Sequence, residues 1–228
     1  MARPSRHLDE RMVKAGLELA GEQGFTGLSV RQVARKAGVN PGLFHYHFKT
    51  KEEFSRRVLR AAYEDFFKRL HLEVGKTPEP LARLERALYF FARVARDNRR
   101  GLAALMNDSF QGYAPSADFF GGNMPKHMGV LGDLVKDCQS HGLLRPLPFP
   151  VPLHFLVSAV IHPSIVWGMM EGMVKGCFCG NLTPKDLERN VFSDHAILSR
   201  VHLALMGLGA DPAGFSLKSV PARRAAKK

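Results

Sequence analysis

The sequence predicts an all-α protein: a small three-helix unit at the N-terminus, followed by a larger helical body. Three observations carry this expectation. The stretch Ser29–Lys51 (SVRQVARKAGVNPGLFHYHFKTK) holds helix starts and stops in quick succession. Apolar residues recur at helical spacing through the segments that follow, most clearly in Leu81–Asp97. Val151–Met170 carries no formally charged residue, the pattern of a helix buried at the centre of a helical assembly.

The first helix is predicted from about Leu8 to Gln23, with Met12, Ala15, Leu19 and Ala20 as its buried stripe and Gly24 as its end. Phe25 and Leu28 then plug the core of the small unit. Ser29-Val30-Arg31-Gln32 is a capping box: the Ser hydroxyl accepts from the Gln32 N–H, and the Gln side chain reaches back to the Ser29 N–H. Val30, Val33, Ala34 and Ala37 form one apolar face, and Gly38 stops that helix in a left-handed turn. Asn40 is an N-cap, with Pro41 where a missing N–H costs nothing, so a short helix runs to about Phe48 with Phe44 and Phe48 facing inward. Thr50-Lys51-Glu52-Glu53 is a second capping box, opening a helix to about Leu72. Two short helices joined by a tight, Gly-bearing turn form a helix-turn-helix, whose second helix is sized for a major groove. Pattern alone leaves an ordinary helical hairpin as the alternative, because caps mark helices and not their partners.

In the body, GKTPEP predicts a turn, Leu81–Asp97 an amphipathic helix and Asn98–Gly101 a break. A shorter helix follows over Leu102–Phe110, then a loop or broken helix over Gly112–Pro125, then a helix over Pro125–His141. Pro146, Pro148, Pro150 and Pro152 predict an extended connector. Leu153–Lys175 is expected as one buried helix. A membrane span there is disfavoured, because His154, His162, Pro152 and Pro163 dilute the segment and Glu171 and Lys175 follow at once. Ser164, Gly168, Gly172 and Gly176 recur every four residues, a face of small residues that would let another helix come close; the alternative is that the helix ends near Gly172. Thr183-Pro184 caps a last helix expected to reach Leu208.

The net charge of +12 is unevenly placed. Residues 1–60 hold twelve Lys/Arg against six Asp/Glu, the middle is nearly neutral, and residues 218–228 add five basic residues and no acid. That is the footprint of a polyanion-binding head on a neutral body. The three Cys are too few for a disulfide framework and suit a reducing cytoplasm, and Met1–Lys14 is too polar for a leader.

Residues Leu8–Leu59 resemble the DNA-binding domain of the TetR family of bacterial transcriptional regulators. The resemblance rests on Gly24-Phe25, Ser29-Val30-Arg31, Ala34 through Val39, Gly42 through Phe48, and Lys51-Glu52-Glu53-Phe54. It implies a helix-turn-helix domain over residues 1–50, a helical effector-binding and dimerisation domain over 51–210, and a basic, disordered tail over 211–228. It also implies a cytoplasmic homodimer whose partners are double-stranded DNA and a small-molecule effector, with no membrane partner. In the recognition helix Asn40, Pro41, Gly42, Leu43 and His45 would face the groove, while Ser29, Arg31, Tyr46, His47, Lys49 and Lys51 fit phosphate contacts. Two of these depart from the family pattern. Leu43 stands where a polar residue is common and offers only apolar contact, and His45 stands where Tyr is usual, so specificity leans toward DNA shape.

The resemblance places an effector pocket in the body. Candidates are the soft and aromatic residues Met106, Phe110, Tyr113, Phe120, Met124, Met128, Trp167 and Met170, with His127, His154 and His162 as polar contacts. The same residue types build any helical core. Ser164, Gly168, Gly172 and Gly176 would suit the dimer seam. Cys177-Phe178-Cys179 lacks a second matched pair, so no metal site is predicted, and no catalytic or cofactor motif is found. The alternatives are a non-specific DNA-binding protein and an enzyme acting on a hydrophobic small molecule.

Overall fold

The structure is a computed structural model that describes residues 7–174, 176 and 182–217. The N-terminal arm with Arg3 and Arg6, the residues Cys177 and Cys179, and the basic run from Lys218 lie outside the described residues. Among those described, the regular elements are helices in the order α1 His7–Gln23, α2 Val30–Ala37, α3 Gly42–His47, α4 Lys51–Val74, α5 Pro80–Asp97, α6 Arg99–Phe110, α7 Ala114–Ser140, α8 Val151–Val160, α9 His162–Met170, α10 Pro184–Asn190 and α11 Asp194–Gly207. They form two compact units: Met1–Arg69 with Asn98–His127, and Leu70–Asp97 with Met128–Lys228.

The first unit is built on aromatic packing. Phe44 of α3, Phe48 and Phe54 of α4 are all buried, with ring centroids 4.9 to 5.4 Å apart in tilted and edge-on geometries. Such pairs contribute about 0.5–1.5 kcal/mol each beyond the area they bury. Met12, Phe25, Leu28, Val33 and Val58 complete this core, and α6 adds Leu105. Gly16 of α1 is part of the same fit: a Cβ there would lie 2.5 Å from Cζ of Phe54. Gly16→Ala is therefore expected to destabilise the unit by roughly 1–2 kcal/mol, because the strain of overpacking outweighs the gain in helix propensity. Urea unfolding followed by circular dichroism checks this; a more stable variant would show that Phe54 can move aside.

In the second unit α5 is the central helix. Leu81, Leu84, Ala87, Leu88, Phe91, Ala92 and Ala95 are buried along it. Helices α8, α9 and α11 pack around it. Arg96 closes the far end of α5, donating to Asp194 of α11 at 2.6 Å and to the Phe192 carbonyl at 2.9 Å.

Four expected element boundaries change. Helix α6 starts at Arg99, so only Asn98 breaks the chain; Gly101 in its first turn sits close to Gly21 of α1, where a Cβ would lie 3.3 Å from the Gly21 Cα. The expected loop over Gly112–Pro125 is the first half of α7, which runs through Pro125. Pro125 removes one backbone bond, but Phe119 and Phe120 pack on the core of the first unit and Tyr63 donates to the Asn123 carbonyl at 3.0 Å. Packing outweighs the local breaker. The expected single helix over Leu153–Lys175 is α8 and α9, bent by 44° where Pro163 cannot donate to the preceding turn, and it ends at Met170. The expected last helix is likewise two. Thr183 and Asp186 form a capping box for α10, Phe192 turns into a buried cluster, and Ser193 caps α11 by accepting from the Ala196 N–H.

Among the described residues no single helix is long and apolar enough to cross a membrane. The bent pair α8–α9 has the length and composition, but Leu153, Leu156, Val160, Ile161 and Trp167 are buried against the protein.

Candidate nucleic-acid interface

The helix-turn-helix is set by local signals at each end. Ser29 accepts from the Gln32 N–H at 3.1 Å, and the Gln32 side chain accepts from the Ser29 N–H at 3.2 Å. Gly38 ends α2 at φ 65°, a left-handed conformation that a glycine takes without strain. The Asn40 side chain accepts from the Gly42 N–H at 2.8 Å, which starts α3. Thr50 accepts from the Glu53 N–H at 3.0 Å, while Glu53 reaches back to the Lys49 N–H at 3.3 Å, one residue earlier than the capping-box pattern expects.

These caps leave one face of α3 outward. Asn40, Pro41, Gly42, His45 and Tyr46 are exposed, Tyr46 at 69%, while Leu43 is half-buried. Arg31 and Lys49 are exposed on either side. Three phosphate-contact candidates have other engagements. The Ser29 hydroxyl is committed to its cap. Lys51 donates to the Thr26 carbonyl at 2.7 Å. His47 is half-buried, with Nε2 enclosed by protein. The turn between α1 and α2 has a support the sequence reading did not include. Asp108 of α6, 1% exposed, accepts from the Phe25 N–H at 2.6 Å, the Thr26 N–H at 3.3 Å and the Thr26 hydroxyl.

Residues 12–58, which carry all of this geometry except Asp108, match the family model described as bacterial regulatory proteins, tetR family. The chain thus carries a TetR-type helix-turn-helix segment. The HTH-type transcriptional repressor KstR2 of Mycolicibacterium smegmatis is 24% identical over 64% of this chain and 71% of its own length. The transcriptional regulator AcuR of Cereibacter sphaeroides is 30% identical over 54% of this chain and 50% of its own. The chain thus spans about half the length of the latter, and 38% of a BetI regulator from Brucella anthropi. Among solved structures, the fatty acid degradation regulator FadR of Bacillus halodurans superposes with a TM-score of 0.63 at 13% identity, covering 92% of this chain and all of its own. FadR of Bacillus subtilis in complex with stearoyl-CoA gives 0.60 at 15% identity, over 87% and 96%. At such identities the shared property is the all-α fold.

The TetR-like effector candidates fall in both units. In the first, Phe110 is 78% exposed and Met124 is exposed, while Met106, Tyr113 and Phe120 are half-buried. Tyr113 shares a hydrogen bond with Ser55 at 2.9 Å, and Phe120 packs on the core. His127 is brought together with Tyr63 and Phe66, at centroid distances of 6.3 and 6.4 Å, and with the Met124 sulfur, 3.1 Å from Nε2. In the second unit, Trp167 is buried, Met128 and Met170 are half-buried, and His154 and His162 are exposed. Of the small residues, Ser164 and Gly168 lie on α9; Gly172 and Gly176 lie beyond its end and share no helical face with them. The second unit also has a cleft of about 380 Å³ lined by Leu70, His71, Val74, Arg83, Val130, Asp133, Leu134 and Asp137, none of them a sequence candidate.

Burial pushes the pKa of His127 down to about 4 and that of the Tyr63 hydroxyl up to about 12. For a histidine held neutral in the folded state, the unfolded chain binds the extra proton between pH 6.5 and 4. Its contribution is present in full above pH 6.5 and is lost as pH falls toward 4, by roughly 2 kcal/mol once partial solvent access is allowed for. Wild type should thus lose more stability between pH 7 and pH 4.5 than His127→Phe does. Equal losses in paired urea titrations would show that the ring is solvated.

Proposed function

We propose that this chain is a ligand-responsive repressor that binds a palindromic operator as a cytoplasmic homodimer and leaves it when a small, largely apolar effector occupies the body. The observation that carries the reading is the outward face of α3, from Asn40 to Tyr46, fixed by the buried Phe44–Phe48–Phe54 packing in a head that carries a basic excess. A rigid helix face of that length fits a major groove, with Arg31 and Lys49 available for phosphates. KstR2 is named a repressor, and FadR was solved with an acyl thioester, which supports repression and an apolar effector here.

Dimerisation is supported by an apolar face on the second unit. Phe155 of α8 and Leu203 and Met206 of α11 are exposed, Leu203 at 64%, and the Phe155 ring lies against Gly207, 3.7 Å from where a Cβ would be. A second copy of this face would cover it and set two recognition helices at the two-fold spacing that paired half-sites require. Gly168, half-buried on α9, takes part in the seam in this reading, whereas Ser164 is fully buried within the chain and cannot, and the tail from Lys218 adds phosphate contacts. Leu43 and His45 contact base edges weakly, so DNA shape contributes to site choice.

Selection of bound sequences from random duplex DNA at near-physiological salt tests the reading. An inverted repeat among the winners is the expected result. Strong, salt-steep binding without a motif would replace the repressor with a non-specific DNA-binding protein.

A further inference from the structure

Arg200 of α11 is a half-buried cation without a counter-charge. Its Nη1 donates to the Val191 carbonyl. Its Nε and Nη2 are enclosed by protein and meet no acceptor. Those two N–H groups form one edge of the guanidinium, the fork that takes two oxygens of a carboxylate or phosphoryl group side by side. Arg96 of the same unit shows the contrast, since its Nε and Nη1 rest on Asp97 at 2.8 Å and Asp194 at 2.6 Å. Among the described residues no carboxylate forms an ion pair with Arg200, and burial lowers its pKa with no charge opposing the shift. Burying a charge without a partner is costly, and a site that keeps one has a reason to do so when a ligand brings the opposite charge.

The surroundings suit an amphipathic ligand. Val191, which receives the one hydrogen bond, packs against the cluster of Trp167, Leu187 and Phe192. Trp167 and Phe192 are stacked with centroids 6.1 Å apart, and Met170 lies on the same cluster. We propose that Arg200 anchors the oxyanion head of an amphipathic ligand, a carboxylate or phosphoryl group on an apolar body that packs against Trp167 and Phe192. The site deepens the effector reading of the second unit and rests on it: the effector is an organic acid or an acyl thioester rather than a neutral hydrocarbon.

Trp167 is the only tryptophan in the chain, so its emission reports on this cluster. The full-length protein is titrated with sodium decanoate, sodium benzoate, decanoyl-CoA and, as the neutral control, decanol. At least one anion should give a saturable change, with decanol about tenfold weaker or more, since a charged bidentate pair is absent. Arg200→Met should erase that difference, while Arg200→Lys, a point charge without the fork, should fall between. A response to decanoate or benzoate assigns a carboxylate; a response to the thioester alone assigns its phosphoryl groups. Without ligand, Arg200→Met should melt within a few degrees of wild type, because the lost charge had no partner and only the hydrogen bond to the Val191 carbonyl goes with it. Equal binding of acid and alcohol, unchanged anion affinity in Arg200→Met, no response to any of the three anions, or a markedly lower melting point of the empty variant would each overturn the site. A chain that selects an operator but fails these titrations loses only the anion site. One that passes them and selects no DNA sequence loses the repressor reading and keeps the site.

Discussion

Glu85→Ala is expected to cost about 3–5 kcal/mol, the range for removing one partner of a buried ionic network. Glu85 is fully buried on α5 and accepts four kinds of donor. His202 of α11 donates from Nε2 at 2.6 Å, the Ser216 N–H and hydroxyl donate at 2.7 Å each, and the Leu217 N–H donates at 3.1 Å. The His202 ring also stacks on Phe215, with centroids 4.3 Å apart. One carboxylate therefore ties α5, α11 and the segment after α11 together. Alanine leaves the histidine, two backbone N–H groups and a hydroxyl without an acceptor in a site that water reaches poorly. At 2–4 °C per kcal/mol for a chain of this size, the melting temperature should fall by roughly 10 °C. Limited proteolysis should also cut near Ser216 in the variant at protease levels that leave wild type intact. A drop below about 1 kcal/mol would mean that water replaces the carboxylate at little cost.

The same residue shows what sequence periodicity conveys and what it leaves out. The apolar stripe of α5 was legible, because Leu81, Leu84, Leu88, Phe91 and Ala95 recur at helical spacing and all are buried. Glu85 sits inside that stripe, four residues after Leu81, and a charged residue there is the one local sign of a buried network. Asp108, three residues after the buried Leu105, and Arg200, next to the buried Val201, give the same sign on α6 and α11. Their partners come from residues 83 positions away for Asp108 and 131 for Glu85, and no local pattern carries that pairing. The helix-turn-helix was legible for the opposite reason. Its caps at Ser29, Gly38 and Asn40 act within four residues of themselves, so chain order and spatial order coincide. The continuous helix through Pro125 was not legible, because the residues that hold it, Tyr63 and the core beneath Phe119 and Phe120, lie outside its window. The outward face of α3 followed from Phe44 and Phe48 facing inward. The side-chain engagements of Lys51 and His47 did not, since each depends on where the turn at Thr26 and the inner wall of the head come to rest.

Asp108→Ala is expected to weaken operator binding about tenfold or more and to cost the first unit roughly 2–4 kcal/mol, since a buried acceptor serving several donors is lost. The carboxylate takes the N–H groups of Phe25 and Thr26 and the Thr26 hydroxyl, and it lies 3.1 Å from where a Cβ on Gly24 would be. Gly24 is at φ 76°, so the turn out of α1 is left-handed and tightly enclosed at that point. Without the carboxylate the Gly24–Gly27 segment loses the acceptor that fixes it, and the start of α2 at Ser29 loosens with it. The recognition helix is tied to α2 through the turn at Gly38, so a smaller share of molecules holds α3 in the binding geometry, and apparent affinity falls by that share. Asp108→Asn keeps the volume, and its amide oxygen can take the two backbone N–H groups while its N–H₂ donates to the Thr26 hydroxyl, so it should rescue most of the loss, short of the part that comes from the charge. Thr26→Ala removes one hydrogen bond and should cost about 1 kcal/mol, with a small change in affinity. Fluorescence anisotropy on the selected operator, paired with urea unfolding of each variant, separates the two effects. If Asp108→Ala lost stability while binding the operator as tightly as wild type under folded conditions, the clamp would hold the unit together without setting the position of the recognition helix.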